Sequence, residues 1–85
     1  MQNNENILLG NEAEIRERLL HEMHELIIKR DKLERFIERS EDFEKLPQKE
    51  QHLMIQQLFV MQRYIGLLDK RFVEIRERQE ECKNE

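Results

Sequence analysis

Lys29, Arg30 and Asp31 place three charges in the middle of a helical stretch, and a second basic group, Arg63, Lys70 and Arg71, follows later in the chain. Bases of this kind hold anions, because ammonium and guanidinium groups donate charge-assisted hydrogen bonds to phosphate and carboxylate oxygens. Arg30 interrupts an apolar series, where a guanidinium needs a carboxylate or a bound anion to offset its desolvation. A salt bridge to a Glu on a facing helix would meet that need; the sharper alternative is that this region lines an anion pocket. In a symmetric assembly every base is repeated, so a ring of modest bases can make a strong anion site. A metal cluster is the other chemistry to weigh. His21 and Glu25 are four residues apart and reach one helix face, with His24 close by. The metalloprotease arrangement needs two histidines four apart; these are three apart and no third ligand is evident, so solvated polar residues and no metal are expected. Catalysis has little to build on. Ser40 is the only serine, there is no threonine, and no Gly-rich phosphate loop is present. The expectation is a binding protein without cofactor.

The elements that must position these residues are helices. The chain has 85 residues, 40% charged and 38% hydrophobic, with two Gly, one Pro and no Trp, a composition that suits long helices. Asn11 is a plausible N-cap, with Glu12 and Glu14 in the first turn where the helix dipole favours acids. The spacing predicts a helix from about Glu12 to about Arg39. Its stripe is Leu19, Met23, Leu26, Leu33 and Ile37, in steps of four and three, with Arg30 filling one position. Between Ser40 and Pro47 the period breaks. Ser40 or Asp42 can cap a short turn there, and Phe43 and Leu46 can plug the end of a hairpin. Pro47 disfavours helix at Leu46 and suits the first position of a second helix, running to about Gln79. That helix carries the stripe Met54, Leu58, Met61, Ile65, Leu68, Phe72 and Ile75. Gly66 inside it costs on the order of 1 kcal/mol relative to Ala, which suggests a close helix approach.

Leu53, Ile55, Phe59, Val60, Tyr64 and Leu67 are apolar too, and they lie off the stripe. A partner helix covers one face of this helix, not two or three. The surplus implies further copies of the chain, and small domains often compensate for a limited core by oligomerising. The reading is all-α: an antiparallel helical hairpin with a short N-terminal arm, assembled into a homo-oligomer. Residues 1–11 form the arm, 12–80 the hairpin domain for oligomerisation and ligand binding, and 81–85 a tail expected to fray. No disulfide contributes, since Cys82 is the only cysteine.

No run approaches the ~18 apolar residues of a membrane span, and the start lacks the basic region of a signal peptide. A soluble cytoplasmic protein is expected. The net charge of −4, with acids and bases interspersed, argues against binding a nucleic-acid polymer, which needs a basic surface. A small anion held by a few focused bases remains open.

Several of these residues fall in a known pattern. Arg18-Leu19-Leu20-x-Glu22-x-x-Glu25-Leu26-x-x-Lys29-x-x-Lys32-Leu33-x-x-Phe36-Ile37-x-x-Ser40 is followed by Phe43-x-x-Leu46. Then come Glu50-Gln51-x-Leu53-Met54-x-x-Gln57-Leu58-x-x-Met61-x-x-Tyr64 and Leu68-x-x-Arg71. Over about residues 15–75 this resembles the small helical phage proteins that include the type 2 anti-CBASS cyclic-nucleotide sponges. The Phe-Ile-x-x-Ser-x-x-Phe-x-x-Leu junction and the Glu-Gln-x-Leu segment are its more particular parts. The resemblance implies a homohexamer that binds cyclic dinucleotides such as cGAMP between protomers, in some members cyclic trinucleotides at separate sites, and sequesters the host's messenger in the host cytoplasm without cleaving it. Carried over by position, Lys29 is the lysine that contacts ligand phosphates. Asp31 stands where a small polar residue can bond the ligand, and Arg71 matches an arginine near the end of the second helix, a candidate for the trinucleotide site. One departure matters: the family's sponges stack an aromatic near the start of the first helix on a base. Here Glu12-Ala13-Glu14-Ile15-Arg16 stands there, with no aromatic before Phe36. Arg16 or Arg18 can stack through a guanidinium plane instead.

Two other readings compete. A structural or adaptor helical bundle explains the stripes and needs nothing from Lys29. A short helical chorismate mutase would also be an oligomer that binds a dianion, but its Leu-Arg-x-x-Ile-Asp-x-x-Asp start is missing from residues 12–39.

Overall fold

A computed structural model describes residues 12–84, with side chains described to Glu80. The 1–11 arm and the Asn11 cap lie outside the described residues, as do the side chains of the 81–85 tail. Three helices follow in order: α1 (Glu12–Arg39), α2 (Glu41–Lys45) and α3 (Gln48–Asn84). Among the described residues there is no strand.

α1 has the bounds that its periodicity predicts, with Glu12 and Glu14 in the first turn and Arg39 in the last, each matched to the helix dipole. It ends at Ser40, whose amide still donates to the Phe36 carbonyl at 3.2 Å while its backbone turns extended (φ −90°, ψ 130°). The Ser40 hydroxyl then accepts from the Asp42 amide at 3.1 Å, capping α2. Leu46 is extended (φ −73°, ψ 152°), as a residue before proline should be. The Pro47 carbonyl accepts from the Gln51 amide at 3.0 Å and opens the first turn of α3. The Gln51 side-chain amide turns back to the Leu46 carbonyl at 2.9 Å, giving a carbonyl at the turn a partner. Phe43 is buried at this end, edge-on to Phe36 with ring centroids 6.0 Å apart.

α3 has 37 residues and outruns the expected end near Gln79. The apolar stripe stops at Ile75, but Arg76 to Asn84 contains no Gly or Pro, and Glu74 pairs with Arg78 at 3.1 Å one turn on. Apolar periodicity marks where tertiary burial ends; helix propensity and i,i+4 pairs can carry the backbone further.

α1 and α3 run antiparallel. Arg16 donates to Gln79 at 2.7 Å, Arg78 stands 4.0 Å from Glu12, and Tyr64 donates to Glu22. Ile15, Leu19, Leu68 and Ile75 form the core between them, with Met23, Leu26 and Phe72 packed against it. Ile15 extends the α1 stripe by one turn. Leu68 is the most enclosed residue, at 1% exposure; burying such a side chain contributes roughly 1.5–3 kcal/mol. The hairpin measures 58 × 29 × 15 Å. Fifteen ångströms is little more than one helix diameter, so each helix has one covered side.

Two expectations change. Gly66 sits in open space, with nothing within 4 Å of where a Cβ would be, so α1 makes no close approach there. Arg30 does not reach a Glu on the facing helix. It pairs with its neighbour Asp31, Nε at 3.2 Å and Nη2 at 3.0 Å from one carboxylate oxygen. An adjacent acid at the edge of the interface satisfies the guanidinium without crossing it.

Candidate functional site

Arg18, Glu22 and Lys29 are spaced four and seven residues apart on α1, so they share one face. Val60, Tyr64, Leu67 and Arg71 are spaced four, three and four on α3 and share one face likewise. The hydrogen bond from the Tyr64 hydroxyl to Glu22 joins these two faces into a single flank of the hairpin. Lys29 lies seven residues beyond Glu22, about 10 Å along the axis at ~1.5 Å per residue. The structure therefore gathers three of the four sequence-derived site residues, Arg18, Lys29 and Arg71, on one side.

Their electrostatic states differ. Lys29 is exposed and makes no ion pair among the described residues. Arg18 stands 4.0 Å from Glu14, a loose pair with both side chains mostly exposed; such a pair contributes little and yields readily to a stronger anion. Arg71 is exposed, and its charge is felt at Tyr64. The Tyr64 phenol is held above its ordinary range, first by its hydrogen bond to Glu22, then by partial loss of hydration and by the charge of Glu22, with Arg71 pulling the other way. The phenol therefore keeps its proton beside Glu22 to higher pH than a free tyrosine does.

Asp31 stands apart. Two residues after Lys29, it lies about 200° around the helix at 3.6 residues per turn. One protomer cannot turn both toward one ligand, so a molecule touching both would have to lie between protomers. Asp31 is also occupied by Arg30, which offsets the repulsion a bare carboxylate would exert on a phosphate. The second basic group divides as well. Arg63 and Lys70, seven apart, are exposed on the side of α3 that faces away from α1.

His21 pairs with Glu25 at 3.3 Å, both well exposed. Among the described residues no three His, Cys, Asp or Glu side chains gather as metal ligands. No helix among them is long and apolar enough to cross a membrane.

Sequence reasoning missed Tyr64 and Glu22 as a pair. Both stand in the pattern quoted above, but they are 42 residues apart, and only the hairpin register brings them together.

The family model described as Sequestin matches residues 13–74. No curated protein and no solved structure matches the chain. The family match spans most of the chain, including both long helices and the turn between them. The chain belongs to this family, the anti-CBASS cyclic-nucleotide sponges.

Proposed function

Starting from membership of the Sequestin family, which suggests a sequestering role, we propose that this is a phage anti-defence protein acting in the host cytoplasm. It binds cyclic oligonucleotide messengers, cyclic dinucleotides such as cGAMP and in a second site cyclic trinucleotides, and holds them without cleaving them. The observation that carries the reading is the single flank that Arg18, Lys29 and Arg71 share with an exposed tyrosine.

A cyclic dinucleotide presents two phosphodiesters related by near-twofold symmetry. Two copies of Lys29 across a twofold axis match that arrangement, one ammonium to each phosphate. Each hydrogen bond to a charged group contributes about 1.5–3 kcal/mol. Capture needs no bond cleavage: messenger bound to the protein is unavailable to its effector, in proportion to the amount of protein.

Assembly supplies the second Lys29. Leu53, Phe59, Val60 and Leu67 on α3 are each more than half exposed, and Leu20 and Ile28 on α1 nearly half. They lie on several sides of the hairpin, which favours more than one interface per protomer and a closed assembly such as a hexamer. The same surface would also suit a structural adaptor with no small ligand; a pull-down that recovers a protein partner, with no cyclic nucleotide bound, favours that reading.

Native mass spectrometry and calorimetry against a panel of cyclic di- and trinucleotides test the proposal. Binding of at least one ligand at a fixed ratio to protomer is expected. Absence of binding to the whole panel at low salt removes it. Lys29→Ala should weaken the dinucleotide about 10- to 100-fold, as loss of a charge-assisted bond implies; unchanged affinity would move the site elsewhere.

A further inference from the structure

We propose that Tyr64 and Glu22 form a recognition pair for a guanine base, the phenol ring as its stacking surface and the carboxylate as acceptor for its N1–H and N2–H donors. The inference rests on the cyclic-nucleotide reading above and names the base that the site selects.

The chain holds four phenylalanines and one tyrosine. Phe36 and Phe43 pack edge to face on each other, Phe72 packs against the core, and Phe59 is on a different side of α3 from Tyr64. Tyr64 is thus the aromatic available to a ligand on the flank of Lys29 and Arg71, with 42% of its surface exposed. Its bond to Glu22 holds the ring by its hydroxyl edge, so less freedom is lost when a base stacks on the part of the ring left open. Val60 and Leu67, four residues before and three after, provide apolar surface on the same face. This supplies the aromatic that the start of α1 lacks.

A carboxylate has about four lone-pair positions, and the Tyr64 hydroxyl uses one. Guanine carries two adjacent donors, N1–H and N2–H, which match the two carboxylate oxygens. Adenine offers a donor beside the N1 acceptor, whose lone pair opposes the carboxylate. The pair therefore discriminates for guanine, while Arg71, two turns from Tyr64 on the same face, is placed for a phosphate.

With one tyrosine and no tryptophan, intrinsic emission reports Tyr64 alone. Wild-type protein is titrated with a cyclic dinucleotide of two guanines and with its all-adenine counterpart, following calorimetry and tyrosine emission, the latter corrected for nucleotide absorbance. The guanine ligand should change the emission saturably with the calorimetric midpoint and bind at least about tenfold tighter than the adenine ligand. Tyr64→Ala should weaken it roughly 10-fold or more, as loss of base stacking implies, whereas Tyr64→Phe, which keeps the ring, should stay within about threefold. Glu22→Gln should erase the guanine preference. Calorimetric binding with no emission change, or Tyr64→Ala binding like wild type, overturns this inference and leaves the sponge reading standing. Emission that responds to protein dilution but not to nucleotide places Tyr64 under another copy and also overturns it. No binding of any cyclic nucleotide removes both readings.

Discussion

The Tyr64 hydroxyl donates to Glu22 at the protein surface, where water competes and the contribution to stability is small. Its effect is on proton affinity. The phenol is raised above the ordinary 10.0, so the folded state holds this proton more tightly than the unfolded chain does. The stabilisation is fully present below the unfolded value and is lost as pH rises through the folded one. Absorbance titration of the single tyrosine should show phenolate appearing at higher pH than in the unfolded protein. Glu22→Gln should return the midpoint toward the ordinary value, since it removes both the charge and the charged acceptor. Arg30 follows related logic. Its place in the stripe calls for a partner across the interface, but the adjacent Asp31 satisfies it, so a base within an apolar stripe is no proof of an anion pocket.

Gly66 shows how an element can carry a cost that the protomer does not explain. In open space inside α3, glycine loses backbone entropy with no packing gain in return. Gly66→Ala should stabilise the helix by about 0.5–1 kcal/mol, raising the thermal midpoint by about 2–8 °C for a domain of this size. If the variant instead falls apart into smaller species, a second copy approaches at Gly66. The C-terminal end of α3 illustrates the opposite error. Its stripe stops at Ile75 while the helix continues to Asn84, because charged helix formers need no core to stay helical once the turns before them are held.

At the scale of the molecule, a hairpin 15 Å thick leaves most of each helix facing solvent. Phe59, at 61% exposure, stands on the side of α3 that faces away from α1, opposite Leu68. A large apolar ring there suits packing against another copy. Wild type should sediment as a closed multimer, and Phe59→Lys should yield smaller species with its helicity kept, because Phe59 contributes nothing to the core of its own protomer. Full assembly of Phe59→Lys would show that other apolar residues make the interface.

The sequence by itself determined the local and periodic facts. α1 and its bounds, the break at Ser40, extended Leu46, the start of α3 at Pro47 and the apolar stripes all follow from capping, proline sterics and the helical period, which act over a few residues. The core lies on these stripes for the same reason, but only Leu19, Leu68 and Ile75 of them are buried, and Ile15 joins them from one turn before the α1 stripe. What the tertiary structure alone decided is register: which level of α1 meets which level of α3. Register joins Glu22 to Tyr64 across 42 residues, sets Arg18, Lys29 and Arg71 on one flank and leaves Asp31 on the other side. These outcomes depend on how two helices are rotated and slid against each other, and that is settled by packing of whole faces rather than by any local run of residues.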